Sequence, residues 1–392
     1  MENQLSRLLK DFDYGKLSRR QLLQALGVAA VTVPMAGFGQ GSCGGANKGA
    51  PQCNATPFPP PFKPTGWKTV LLDHFSLQVA DLEKEAAYYN ALMGWKVRSN
   101  DGKTIVMDMG TLGSVIMRGG LVVPAPAPAP PAPPAGADAA ARGGRGGGGG
   151  GRGGPARANW DNFCFGITPW DTKKVEAELK SRGLNPVADH QGKDFQSFHV
   201  KDPDGFDLQI SNGNKTNRRT TPASGKLNTP PPFEPTGWQT LYLDHISFGV
   251  TSYKESVAFY AALLGWTPGG DEGSQDSTSI SPEIGGLIIR GGNANAPGGL
   301  AAQQQRGGRG GAAPDPAAPP AQLVRRASMG HISFGIASFD PDKVKAELEK
   351  RGLTARVDTG GSEDIHTAKY KSYHTTTPNG YDLQISNVIT KG

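Results

Sequence analysis

Cysteine is scarce in this chain, with three residues in 392 and no Cys-x-x-Cys pair among them. A thiolate zinc site needs such pairs, so that class of metal centre is excluded. Apolar residues are also sparse, at 36% of the chain, and the apolar run at 22–38 is a little short for a membrane span. Charge of one sign is too dispersed to name a partner. The formal net charge is +6, but many of the arginines lie in the amino-terminal segment and in Gly-rich tracts. Glycine and proline are in excess, 55 and 32 residues, and much of both sits in two tracts, 124–157 and 293–326. Sequence of that kind buries too little apolar surface to fold, so both tracts read as flexible linkers. Their Arg-Gly-Gly repeats suit RNA, yet nucleic acid is not an expected partner for a chain with an export signal.

That signal lies at the amino terminus. Residues 18–24 read Ser-Arg-Arg-Gln-Leu-Leu-Gln and lead into the apolar run, which is rich in small residues. Charged, apolar, then small is the order of a secretory signal. The adjacent Arg19 and Arg20 resemble a twin-arginine signal. The expectation is a signal and leader over 1–56, passage through the twin-arginine machinery, and a periplasmic or extracytoplasmic mature protein. The alternatives are an amphipathic helix carrying two arginines, and an uncleaved anchor, since no clean Ala-x-Ala site appears. Cys43 and Cys53 are either a disulfide in an oxidising compartment or two free thiols.

Internal repeats organise the remainder. Residues 59–95 and 230–266 share Pro-Pro-Pro-Phe-x-Pro-Thr-Gly-Trp-x-Thr, then Leu-Asp-His, then Gly-Trp. Asp202-Pro203-Asp204-Gly205-Phe206-Asp207-Leu208-Gln209-Ile210-Ser211-Asn212 matches Thr377-Pro378-Asn379-Gly380-Tyr381-Asp382-Leu383-Gln384-Ile385-Ser386-Asn387. Each half divides again, because four alternating strand-like runs begin at His74, Asn162, His245 and His331. Helical patterns follow at 81–93, 172–182, 252–264 and 340–351, with Gly183 and Gly352 fitting the ends of two of them. The expected class is α+β: four βαβββ modules forming two cupped half-barrel pairs. The domain boundaries are 57–214 and 228–392, joined by a linker at 215–227.

This order of elements, a histidine in the first strand and an Asp-Pro-Asp-Gly or Thr-Pro-Asn-Gly hairpin near the end resemble the vicinal-oxygen-chelate superfamily. That superfamily includes glyoxalase I, bleomycin-binding proteins, fosfomycin-resistance enzymes and extradiol dioxygenases. The resemblance covers all four modules and implies a divalent metal in the cup between paired modules. Alternation puts Ile246, Phe248 and Val250 on the core face of one first strand, and His245 and Ser247 on the cup face. His331 and Ser333 take the same cup-facing positions in the partner module, and Gln384 joins them from the last strand. Similar dioxygenases take one His from each first strand and a Glu from the last strand, which here is Gln384.

The expected metal ligands are therefore His245, His331 and Gln384, holding iron(II), with manganese(II) or zinc(II) as alternatives. His374, ten residues before Gln384 across a turn, is expected opposite it. It reads as a catalytic acid or base, as a third imidazole ligand, or as a surface hairpin residue. By looser resemblance His366 is the second catalytic candidate. The first half has His74 and Gln209 but Asn162 in place of the second histidine, and resembles the degenerate half of a two-half dioxygenase. Three functions follow. One is a metal-dependent, extradiol-dioxygenase-like enzyme on a small substrate with two adjacent oxygens. The others are a non-catalytic small-molecule binder of the bleomycin-resistance kind and a structural protein.

Overall fold

The computed structural model describes residues 58–122, 158–213, 222–270, 272, 275–291 and 328–387. Arg19, Arg20, Cys43, Cys53, both low-complexity tracts and part of the 215–227 linker lie outside those residues. No helix among the described residues is long and apolar enough to cross a membrane.

The first module contains β1 (Lys68–Val79), α1 (Leu82–Met93), β2 (Lys96–Asn100), β3 (Thr104–Asp108) and β4 (Ser114–Arg118). The second contains β5 (Ala158–Thr168), α2 (Thr172–Ser181), β6 (Val187–Ala188), β7 (Ser197–Lys201) and β8 (Asp207–Ser211). The third has β9 (Thr240–Gly249), α3 (Tyr253–Leu264), β10 (Gln275–Ser281) and β11 (Gly285–Arg290). The fourth has β12 (Ser328–Ile336), α4 (Pro341–Lys350), β13 (Arg356–Asp358), β14 (Ser372–Thr376) and β15 (Asp382–Asn387). Each helix begins at a side-chain cap, Asp81, Asp171, Ser252 or Asp340, which accepts a first-turn N–H.

Two open sheets result, in the orders β2-β3-β4-β1-β5-β8-β7-β6 and β10-β11-β9-β12-β15-β14-β13. Paired modules join through their first strands, β1 against β5 and β9 against β12, both antiparallel. The α+β class with βαβββ modules is found, with one departure. The third module has two strands after its helix, and only Thr267 bridges Ser279 where another strand is expected. Pro268 lacks an N–H and Gly269-Gly270 carries no side chain to pack, so that segment cannot sustain a ladder.

The core-facing sides of the strands bury their apolar residues, Ile246, Phe248 and Val250 among them. The two halves also lock reciprocally. Trp95 Nε1 donates to Thr240 Oγ1 at 2.9 Å, and Trp266 Nε1 donates to Thr69 Oγ1 at 2.8 Å. Thr65 Oγ1 donates to Leu263 O and Thr236 Oγ1 to Leu92 O, so each helix end is held by the opposite half. Gly94 and Gly265 close α1 and α3 with φ of 69° and 70°. A Cβ on either would lie 2.4 Å from a backbone oxygen, Trp238 O or Trp67 O. This close approach requires glycine as much as the backbone angle does.

Candidate metal centre

The cup of the second half is set by strand register. His245 on β9 lies opposite Ser333 on β12, Ser333 opposite Gln384 on β15, and Gln384 opposite His374 on β14. One row along, Ser247, His331 and Asp382 are paired in the same way. Both rows share one face, because side chains of a strand repeat every second residue.

His245 Nδ1 is 3.0 Å from Asp244 Oδ2. A carboxylate only accepts, so Nδ1 carries a proton and Nε2 is the nitrogen turned toward His331. That Nε2 is 3.0 Å from His331 Nε2. Imidazole nitrogens bound side by side on one divalent ion are separated by about 3 Å. Burial above all, with the positive charge of His374 adding to it, pushes His331 down to about 3, which keeps its ring neutral as ligation requires. Asp244 is desolvated by burial, yet hydrogen bonds from His245, Tyr370 and Ser333 hold it below the usual carboxylate range. Tyr370 Oη donates to Asp244 at 2.7 Å.

Gln384 is fully buried. Its Nε2 donates to Ser372 Oγ at 2.7 Å and Tyr370 Oη at 3.1 Å, while its Oε1 has no hydrogen-bond partner among the described residues. A buried carbonyl oxygen without a donor is costly. An oxygen-seeking cation would satisfy it. Two imidazole nitrogens and one orphaned oxygen therefore fit a divalent ion.

His374 stands against Gln384 as its register requires, but both of its nitrogens are engaged. Nδ1 lies 3.0 Å from Asp382 and Nε2 lies 3.0 Å from Asp358. Burial works against its charge, and the two carboxylates outweigh burial and raise its pKa. The ring is thus an imidazolium held between two acids, 4.8 Å from the His331 ring by centroids. Although atoms of His331, His374 and Asp382 fall within 4.8 Å of one another, His374 and Asp382 already bind each other. They form an ion pair rather than a pair of free donors. His366 is not brought to the group: its ring is half exposed, 3.9 Å from Asp342 at the start of α4. A groove of about 510 Å³ lies elsewhere too, lined by Asn90, Lys96, Val97, Gly225 and Asn228.

The first half carries the same framework. His199 bonds to Asp207 and Asp189, and Gln209 Nε2 donates to Ser197 Oγ at 2.8 Å. His74 Nδ1 lies 2.7 Å from Asp73. The differences are local. Asn162 occupies the His331 position and donates to Gln209 Oε1 at 2.9 Å, which satisfies the oxygen left bare in the second half. Cys164 replaces Ser333, and with Asp73 and His74 it forms a wholly buried group whose ligand atoms lie within 4.8 Å. Asp73, Cys164, Asp244, Asp358 and Tyr370 were not singled out from sequence. The repeated Asp-His doublet was the available signal for two of them.

Residues 71–210 match the Glyoxalase/Bleomycin resistance protein/Dioxygenase superfamily. That span runs from within β1 to within β8, the strands of the first sheet. No curated protein matches the sequence. Similar solved structures include the Mn(II)-bound glyoxalase from Novosphingobium aromaticivorans, at 12% identity and TM-score 0.49, covering 82% of this chain and 83% of that one. The 2,3-dioxygenase LapB from Pseudomonas sp. KL28 is 14% identical with TM-score 0.48, covering 82% of this chain and 93% of its own. An extradiol ring-cleaving dioxygenase from B. fuscum is 14% identical with TM-score 0.48, covering 83% and 73%. The family match falls on the half with Asn162, whereas the paired histidines stand in the other.

Proposed function

We propose that all four modules belong to this superfamily and that the second half is a metal-dependent centre of the extradiol-dioxygenase kind, acting on a small substrate with two vicinal oxygens. The observation that carries this reading is the 3.0 Å approach of His245 Nε2 to His331 Nε2, with the outer nitrogen of His245 fixed by Asp244. Gln384 Oε1 is the third donor. Iron(II) suits two imidazoles and an oxygen with open positions, and manganese(II) or zinc(II) are the alternatives. The bound ion supplies Lewis acidity and, if iron, a site for O2. The protein contributes the rest. Asp244 and Tyr370 fix the tautomer and tilt of His245, and His374 keeps a proton beside the centre between Asp358 and Asp382. The neutral Gln384 in the carboxylate position favours a second reading, a ligand trap that binds without turnover.

Elemental analysis of the purified, cytoplasmically loaded protein tests the centre. One divalent ion per chain is expected, lost in His245→Ala and in His331→Asn, and retained in His74→Ala. A metal-free wild type after reconstitution with iron, manganese and zinc would overturn it. Oxygen uptake with a catechol separates enzyme from trap. We further propose that the protein is exported through the twin-arginine route, on the strength of Arg19, Arg20 and the apolar run after them.

A further inference from the structure

In the first half, Arg118 at the end of β4 forms an ion pair with Asp161 on β5. Ser76 on β1 completes the cluster. Arg118 Nη1 donates to Ser76 Oγ, and Ser76 Oγ donates to Asp161 Oδ2 at 3.2 Å. Both charged side chains are about half exposed, so this carboxylate seat opens to solvent.

The second half keeps the seat and removes the acid. Arg290 ends β11 opposite Gly249, as Arg118 ends β4 opposite Gln78. Ser247 takes the place of Ser76, since the two pair with Ile288 and Ile116 in the same register. The residue before His331 is Gly330, where the residue before Asn162 is Asp161. Arg290 is exposed, and among the described residues neither it nor Ser247 Oγ has a hydrogen-bond or ion-pair partner. Leu287 and Ile289 are buried in the core, so Arg290 projects on the cup side with His245 and Ser247. The acid is lost at the one position adjoining the gained histidine.

We propose that this cup takes an anionic substrate whose carboxylate sits on Arg290 and Ser247, where Asp161 sits on Arg118 and Ser76 in the first half. Its vicinal oxygens then face His245 and His331, a clause that rests on the metal reading above. Arginine suits the task because its planar fork matches a carboxylate.

The experiment compares three probes by calorimetry on the full-length, metal-analysed protein. Benzoate offers the carboxylate alone, catechol the vicinal oxygens alone, and 3,4-dihydroxybenzoate both. Arg290→Gln is expected to weaken dihydroxybenzoate by about tenfold or more and to abolish benzoate binding, with catechol unchanged. Gly330→Asp restores the internal carboxylate and should have the same effect with metal content intact. The added Cβ meets only Ser247, its Oγ at 3.3 Å and its Cβ and backbone oxygen both at 3.7 Å. Equal binding of dihydroxybenzoate to wild type and Arg290→Gln would overturn the proposal, as would an equal loss of catechol. Arg290-dependent benzoate binding to a wild type that takes up no metal would support the carboxylate seat while removing the metal centre. A loaded metal with benzoate binding indifferent to Arg290 would do the reverse.

Discussion

Glu85 of α1 accepts hydrogen bonds from both the backbone N–H and the side-chain amide of Asn379, 294 positions further along the chain. The matching helix position in the other half is Ser256, and there the acid has moved to the turn, where Asp202 accepts from Tyr260 Oη at 2.9 Å. Burial pushes both carboxyls up to about 7, against the hydrogen bonds that favour their charge.

These two acids give stability a definite pH slope. The unfolded groups titrate near pH ~4. Between there and 7 the folded chain holds more protons than the unfolded one, so stability is greatest below that window and falls as pH rises through it. Urea midpoints should be higher at pH 5 than at pH 8. Glu85→Gln and Asp202→Asn should each flatten the slope and stabilise the protein at pH 8 by on the order of 1–3 kcal/mol. A stability that rises from pH 5 to pH 8 would mean both groups stay ionised.

His374 separates two acids that would otherwise face each other. His374→Ala should destabilise the fold by about 2 kcal/mol, allowing for the partial exposure of Asp358 and Asp382. His199→Ala, at the more exposed equivalent, should have a smaller effect. Metal content should survive both changes, since neither ring is free to ligate. Loss of the ion in His374→Ala with unchanged thermal stability would assign His374 to the coordination set.

Gln384→Glu adds a negative charge where the chain offers a neutral oxygen. A chelator-competition titration should show divalent metal bound about tenfold more tightly or better. The fold should weaken slightly, because the donor to Ser372 and Tyr370 is lost. Unchanged affinity would place Gln384 outside the coordination set.

Replacing Arg19 and Arg20 together by Lys should leave precursor in the cytoplasm, scored by fractionation of cells expressing the full chain. Undiminished export of that variant would remove the twin-arginine reading.

Much of this was legible in the sequence because a strand repeats every two residues. That period put His245, Ser247, His331 and Gln384 on one face and Phe248 on the other, and the ten-residue spacing put His374 opposite Gln384. What escaped lies where no period operates. Tyr370 reaches Asp244 from the irregular stretch before β14, and Asp358 meets His374 across a loop that is longer than its counterpart between Asp189 and His199. His366 sits in the same stretch, and its distance in sequence said nothing about the direction of its ring. The orphaned Gln384 Oε1 and Arg290, both without a partner among the described residues, emerge only when the halves are laid side by side, since each is defined by what its twin retains.

The reciprocal tryptophan bonds impose a timetable on synthesis. The end of α1 needs Thr236 and Thr240, and Glu85 needs Asn379, so the first half leaves the ribosome long before its own contacts exist. Trp95 therefore waits in the nascent chain until β9 is made, and the buried Glu85 until just before the last strand. For the same reason neither half should survive as a separate fragment, and calorimetry of the intact chain should record a single cooperative melt.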